Sequence, residues 1–265
     1  MRYILFPIFL FFVFSGFSQI NQTDADGLRQ GRWQKEYPTG GLMYEGSFKD
    51  GKPTGEWTRY YRGGQIRARI QYAEKSDSAY TKLYNNRGKL MAEGNYLDEK
   101  KAGWWSFYSR DRKIAEEHYV NGKKQGISRK FYPSGELFEE TEWQNGVQEG
   151  DYEVFFKSGN PYMQCKFSDG KRNGLCLLFY ENGRMEMEAH YKNNLRHDEW
   201  KFNNSSGEYL YTLKYHLGKL LNPEVRDSIG NLQIQELENN RQSIPDPEKF
   251  MQDPSQYMMQ MEKFR

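Results

Sequence analysis

The sequence predicts an all-β fold: an elongated, single-layer antiparallel sheet of tandem β-hairpin repeats of about 24 residues, followed by a short irregular or helical C-terminal tail. Three observations carry this. From Gly27 the chain is similar to itself, and the aromatic slot of the repeat returns with gaps of 24, 23, 25, 23, 24, 24 and 24 residues. The composition is rich in ring and turn, with 20 Tyr, 17 Phe and 25 Gly in 265 residues, and aromatic residues favour strands as glycine favours turns. Asp-Gly and Asn-Gly pairs punctuate the chain where hairpins need positive φ.

One unit reads D/N-G-x-x-x-G-x-W-x-x-Y-Y-x-x-G-x-L-x-x-E-x-x-Y-x. Its first aromatic slot is assigned to Trp33, Trp57, Tyr80, Trp105, Ser128, Tyr152, Cys176 and Trp200. A paired aromatic follows at Tyr60 and Tyr61, Phe107 and Tyr108, Phe131 and Tyr132, Phe155 and Phe156, and Phe179 and Tyr180. Each unit is two short strands joined by a tight turn, as at Glu181, Asn182, Gly183 and Arg184. The D-G-K-x-x-G segment, Asp169 to Gly174 in unit seven, then forms the loop to the next hairpin. Side chains alternate faces along a strand, so Trp57 and Tyr61 share a face and Tyr60 points opposite. A lone hairpin buries none of these rings, whereas stacked units pack each against its neighbours.

At the N-terminus Arg2 precedes an apolar run from Ile4 to Phe14, with Gly16 and Ser18 at −3 and −1 of a cut before Gln19. Residues 1–18 read as a secretory signal peptide, because the run is shorter than the ~20 residues of a spanning helix. Repeats occupy 26–216, and 217–265 form a polar tail with short helices, one beginning near Asp253 and Pro254. The expected location is the periplasm, the envelope surface or the exterior.

The repeated D-G-K-x-x-G-x-W-x-x-Y-Y-x-x-G-x-L resembles the variant MORN repeat of exported bacterial proteins and of chains called YwqK-type antitoxins. That resemblance covers roughly 26–216 and implies a twisted β-hairpin sheet, with roles in protein assembly or membrane association. Unit three departs from it, with Lys75, Ser76, Asp77 and Ser78 in place of an opening Asp-Gly. Unit eight replaces its paired aromatics by Asn203 and Asn204, as a polar cap would.

Little in the sequence points to catalysis. Gly-x-Ser-x-Gly, a P-loop and a dinucleotide fingerprint are absent. Glu45, Glu93, Glu117, Glu140 and Glu188 recur in the second strand; a periodic repeat produces such a row, and cross-strand pairing with Lys and Arg explains it. His118, His190, His197 and His216 have no metal-ligand spacing, so neither metal nor cofactor is expected. Counting register places Cys165 across from Cys176 if Phe167 pairs with Gly174; a disulfide is feasible in an oxidising compartment, the alternative being two thiols filling an aromatic slot. With 38 basic against 36 acidic residues, the charge of +2 gives no strong pull on nucleic acid.

The aromatic rows remain as the candidate binding surface: Trp33, Trp57, Tyr61, Tyr80, Trp105, Tyr132, Tyr152, Tyr180 and Trp200. The expectation is a non-enzymatic scaffold that binds a protein partner, with membrane lipid or cell-wall glycan as the alternative ligand.

Overall fold

The computed structural model describes residues 19–74 and 77–239. The expected signal peptide and the expected helix near 253–264 lie outside the described residues. The described chain holds nineteen strands and one helix, Pro223–Asn239, and divides into two compact units. One is built from the chain up to Leu137 together with Trp143–Gly146; the other from Phe138–Glu142 and the chain from Val147 onward. Each is an open antiparallel sheet in which successive strands pair, as Leu42–Lys49 does with Lys52–Tyr60 and Met185–Lys192 with Leu195–Asn203.

Two kinds of turn alternate. The D-G-K-x-x-G segment is tighter than the loop expected from sequence: Lys49 pairs with Lys52 and Ser168 with Lys171, leaving only two residues at each bend. Both residues of the bend have positive φ, 50° and 78° at Asp50 and Gly51, as a type I′ turn requires. The other turn has three residues. At Glu181, Asn182 and Gly183 only the glycine takes positive φ, while the Asn182 side chain accepts a hydrogen bond from the Arg184 amide at 3.0 Å.

The last glycine of the D-G-K-x-x-G segment sits in a bulge. Around Gly55, Gly103 and Gly174, all at positive φ, pairing shifts register between Glu45 and Ser47, Gly94 and Asn95, and Cys165 and Phe167. Phe167 therefore pairs with Arg172 and not with Gly174, although Cys165 does lie opposite Cys176. Unit three has Ala79 where all the other units but the eighth, with Asp198, have this glycine, and its strands pair from Tyr72–Ala79 to Ala68–Leu83 without a shift.

Where a tryptophan follows the bulge position, it uses a backbone carbonyl that the shift leaves free. The indole N–H groups of Trp57, Trp105 and Trp200 donate to the carbonyls of Ser47, Asn95 and His190 at 3.0, 2.9 and 3.0 Å. The rings lie flat over small residues: a Cβ on Gly46 would stand 2.1 Å from Trp57, and one on Gly94 2.5 Å from Trp105. The core of each unit is thus a row on one face of the sheet, with Trp57, Thr81 and Trp105 in the first unit and Cys165, Cys176, Ala189, Trp200 and Leu213 in the second, all buried.

This row corrects the sequence register. The slot of unit three is filled by buried Thr81, which pairs with Gly94, and Tyr80 points to the opposite face. With Thr81 the spacing from Trp57 to Trp105 becomes 24 and 24. The structure also moves Glu117 out of the carboxylate row: Glu116 pairs with Arg129 as Glu45 pairs with Thr58, and Glu117 sits across from Trp105.

The terminal long strand at each end is edged by a two-residue strand, Gln22–Thr23 and Lys219–Leu220, and is sealed beyond it by asparagine. On strand Arg29–Glu36 the Asn21 amide donates to the Arg32 carbonyl and its Oδ1 accepts from the Gln34 amide, each at 2.9 Å. On strand Tyr209–His216 the Asn222 Oδ1 accepts from the Lys214 amide at 2.7 Å, and its Nδ2 donates to the Thr212 carbonyl at 2.9 Å. Each side chain stands in for part of a missing strand and blunts the exposed edge. Pro223 then opens the helix and Val225 packs on the Leu213 and Tyr215 end of the row.

Candidate functional site

The face carrying the tryptophan row is closed. Trp57, Trp105 and Trp200 are 5%, 0% and 6% exposed, which removes them from any binding surface. The cause is local: a cation near the start of a strand lies over rings of that strand and of its neighbours. Lys101 Nζ stands 4.5 Å from the Trp105 ring and 4.8 Å from that of Tyr119, while Arg172 lies over Tyr191 at 4.3 Å and Arg196 over Trp200 at 5.2 Å. Burial lowers the pKa of Lys101 below that of a free lysine.

Other rings of the expected surface are used between repeats. Tyr61 and Tyr180 donate from their hydroxyls to the carbonyls of Tyr84 and Asn203, 23 residues ahead, at 2.8 and 2.9 Å; Tyr37 does the same to Tyr60. Trp33 and Tyr152 stack edge-on or tilted against Phe48 and Phe167, and Tyr132 is half-buried and partnered. Only Tyr80 of the nine lies exposed, and it is on the other face.

That other face carries an apolar patch over units three to five. Tyr80, Met91, Leu97, Trp104, Ile114, Val120 and Ile127 are 37–50% exposed, Trp104 the most. Register shows that they share the face: Tyr80 pairs with Asn95, Trp104 with His118, and residues two apart on a strand point the same way. The positions equivalent to Tyr80, Trp104 and Ile127 in units one, two, six and eight are Arg32, Glu56, Asp151 and Glu199, all exposed and charged; unit seven has Leu175. The sequence reading missed Trp104 because its neighbour Trp105 filled the repeat slot, yet strand parity alone sends two adjacent tryptophans to opposite faces.

Beside the patch the charges are paired with one another. Lys82 lies 3.4 Å from Glu93, and Glu116 contacts Lys113 at 2.6 Å and Arg129 at 3.2 Å. Tyr108 and Tyr80 donate to Glu93 at 2.6 and 2.8 Å; the Tyr108 bond above all holds this carboxyl below its ordinary range. Burial, followed by the bond to Glu93, pushes Tyr80 up to about 12, so its hydroxyl stays neutral. Trp104 packs edge-to-face on His118 with centroids 5.2 Å apart. An open pocket adjoins Tyr80, lined by Glu56, Arg69, Gln71 and Lys82.

In the second unit Cys165 and Cys176 form a disulfide between directly paired strand residues, with Cα atoms 4.1 Å apart. It fills the slots that a tryptophan and a glycine take elsewhere in the row. Among the described residues no group of three or more His, Cys, Asp or Glu is placed to hold a metal ion, and no helix is long and apolar enough to cross a membrane.

Hairpins in tandem, one closed ring row and a face whose chemistry varies from unit to unit define a β-hairpin repeat protein. The model of the MORN repeat variant matches residues 29–50, 53–74, 124–145 and 172–193. The chain thus carries MORN-type repeats over these four stretches. No curated protein matches it. Solved structures similar to it include the GtfA/B complex, at 11% identity over 33% of this chain with a TM-score of 0.26, and TarM, at 12% identity over 49% with a TM-score of 0.23. The chain spans 18% and 22% of the length of those chains.

Proposed function

We propose that the chain is an exported, non-enzymatic scaffold that holds a protein partner on the patch of units three to five. The observation that carries this reading is the concentration of exposed apolar side chains on one face over three consecutive units, with Tyr80, Trp104 and Ile127 at a position that is charged in four of the other five units. Trp104 and Tyr80 are of the residue types that anchor protein interfaces, and both are held in place by neighbours. Support for a non-catalytic role comes from the carboxylates of the repeat. Tyr60 and then Arg32 hold Glu45 low, and Tyr108 holds Glu93 low, whereas an acid catalyst needs a raised pKa. Support for export comes from the apolar leader at 1–18 and from the disulfide, which persists in oxidising compartments.

The test is affinity capture from an envelope extract with the full chain and with Trp104→Ala. A partner retained by the native chain and lost with the variant is expected; capture that the variant leaves undiminished would overturn the reading. Export is tested by fusing residues 1–18 to a reporter that is active only after translocation, and an inactive fusion would remove that part.

A further inference from the structure

We propose that the row Tyr80, Asn95, Trp104, His118 and Ile127 is a subsite for an uncharged, linear, β-1,4-linked glycan lying across the strands; this rests on the patch being the binding face. The five residues stand on five neighbouring strands, Ser78–Tyr84, Leu90–Leu97, Lys100–Ser109, Arg112–Val120 and Gly126–Phe131. Neighbouring strands lie ~4.8 Å apart, so the row advances by that step and covers ~20 Å. Along it a ring or apolar group alternates with an amide or imidazole. An extended β-1,4-linked chain advances by close to one strand spacing per sugar, so alternate sugars meet the apolar faces of Tyr80, Trp104 and Ile127. The sugars between them meet hydrogen-bonding groups on Asn95 and His118. An extended peptide repeats its same-face side chains every ~6.8 Å and falls out of step with rings ~9.6 Å apart.

Charge selects in the same direction. The ions next to the row, Lys82 with Glu93 and Glu116 with Lys113 and Arg129, are already engaged with one another, so an uncharged sugar takes its place without breaking an ion pair, whereas a uronic acid polymer or an anionic lipid must compete with these carboxylates for their cations. At the Tyr80 end the open pocket adds Gln71, whose amide can donate to and accept from hydroxyls, and Glu56, whose carboxylate can accept from them, directly or through bound water. A sheet twists by about 20° per strand, which limits the straight contact to a short run of sugars. The ligand is therefore a soluble strand and not a flat crystalline surface.

The probes are the pentamers of β-1,4-linked N-acetylglucosamine and of β-1,4-linked glucose, with a β-1,4-linked uronic acid pentamer as the charged control, titrated into the full chain by calorimetry. At least one neutral pentamer binds, its disaccharide binds more weakly, and the acidic pentamer is not retained. Trp104→Ala lowers the association constant by about tenfold or more, while Trp104→Tyr keeps most of it. Trp104 is half exposed, and an unchanged circular dichroism spectrum and melting temperature establish that the variant folds. Tyr80→Ser, on a different strand, must weaken the same ligand. Absence of binding by both neutral pentamers, or binding indifferent to Trp104 and Tyr80, overturns the glycan subsite. Capture of a protein that is lost with Trp104→Ala, without saccharide binding, overturns this inference and leaves the scaffold reading standing; loss of both overturns both.

Discussion

Gly46 and Gly94 are conserved in role across two repeats for a reason other than backbone freedom. Neither has a positive φ; each lies beneath an indole, where a methyl would collide at 2.1 or 2.5 Å. Gly46→Ala and Gly94→Ala should each destabilise the first unit by roughly 1–3 kcal/mol, the usual cost of overpacking, read as a lower midpoint in urea. Asp198 presents the opposite case. It holds φ at 55° in the bulge position where Gly55, Gly103 and Gly174 stand in other units. Asp198→Gly should stabilise the second unit by up to about 1 kcal/mol by relieving the left-handed strain, and an unchanged midpoint would show that local contacts offset it. At this scale the sequence was legible where a residue type has one job, as at the turn glycines. It misled where parity decides: Tyr80 looked like a repeat tryptophan, but an aromatic one position out of step lands on the other face.

Strands, turns and the hairpin pairing could be read from the repeat, because Asp-Gly and Asn-Gly restrict the backbone so strongly. The bulge could not, since it depends on a tertiary partner: the carbonyl released by the register shift is satisfied by an indole on the next strand. The tyrosine ladder was equally hidden, because a hydroxyl reaching 23 residues ahead leaves no local signature. Tyr61→Phe and Tyr180→Phe should each cost about 1 kcal/mol, the net worth of one hydrogen bond, and the loss should appear as faster amide exchange in the strand that carries the accepting carbonyl. The disulfide joins two neighbouring strands and closes a short loop. Replacing both cysteines by alanine should lower the stability of the second unit by roughly 2–3 kcal/mol, and the native chain should lose a similar amount in reductant. A native chain indifferent to reductant would mean that the bond adds nothing to the core already made by Trp200 and Leu213.

For the molecule as a whole, the titrating groups define a window of stability. Glu45 and Glu93 titrate below the ordinary 4.5 in the folded chain, chiefly through hydrogen bonds from Tyr60 and Tyr108. Their contribution is complete above that value and is lost as pH falls through the folded range. Tyr80 and Tyr119 are raised, mainly by burial, from an ordinary 10.0. Their contribution is complete below 10.0 and is lost as pH rises beyond it. Thermal melts should therefore be level from about pH 5 to 9 and fall on both sides, the alkaline fall being reduced by Tyr80→Phe. The fold class of the chain was legible because periodicity is a global signal. The candidate site was not, because it lies where units depart from the common pattern: the family model matches neither the residues around Tyr80 nor those around Trp104.

The asparagine seals have a consequence for how such a chain changes length. Asn21 and Asn222 bond to the terminal long strands, Arg29–Glu36 and Tyr209–His216, and to no strand between them. Duplication or loss of a 24-residue segment between them exchanges one internal hairpin interface for an equivalent one and leaves both seals in place. Lineages carrying this architecture are thus free to vary the number of units without having to invent a new terminus each time, and a duplicated unit, already folded by its neighbours, can diverge on its outward face alone.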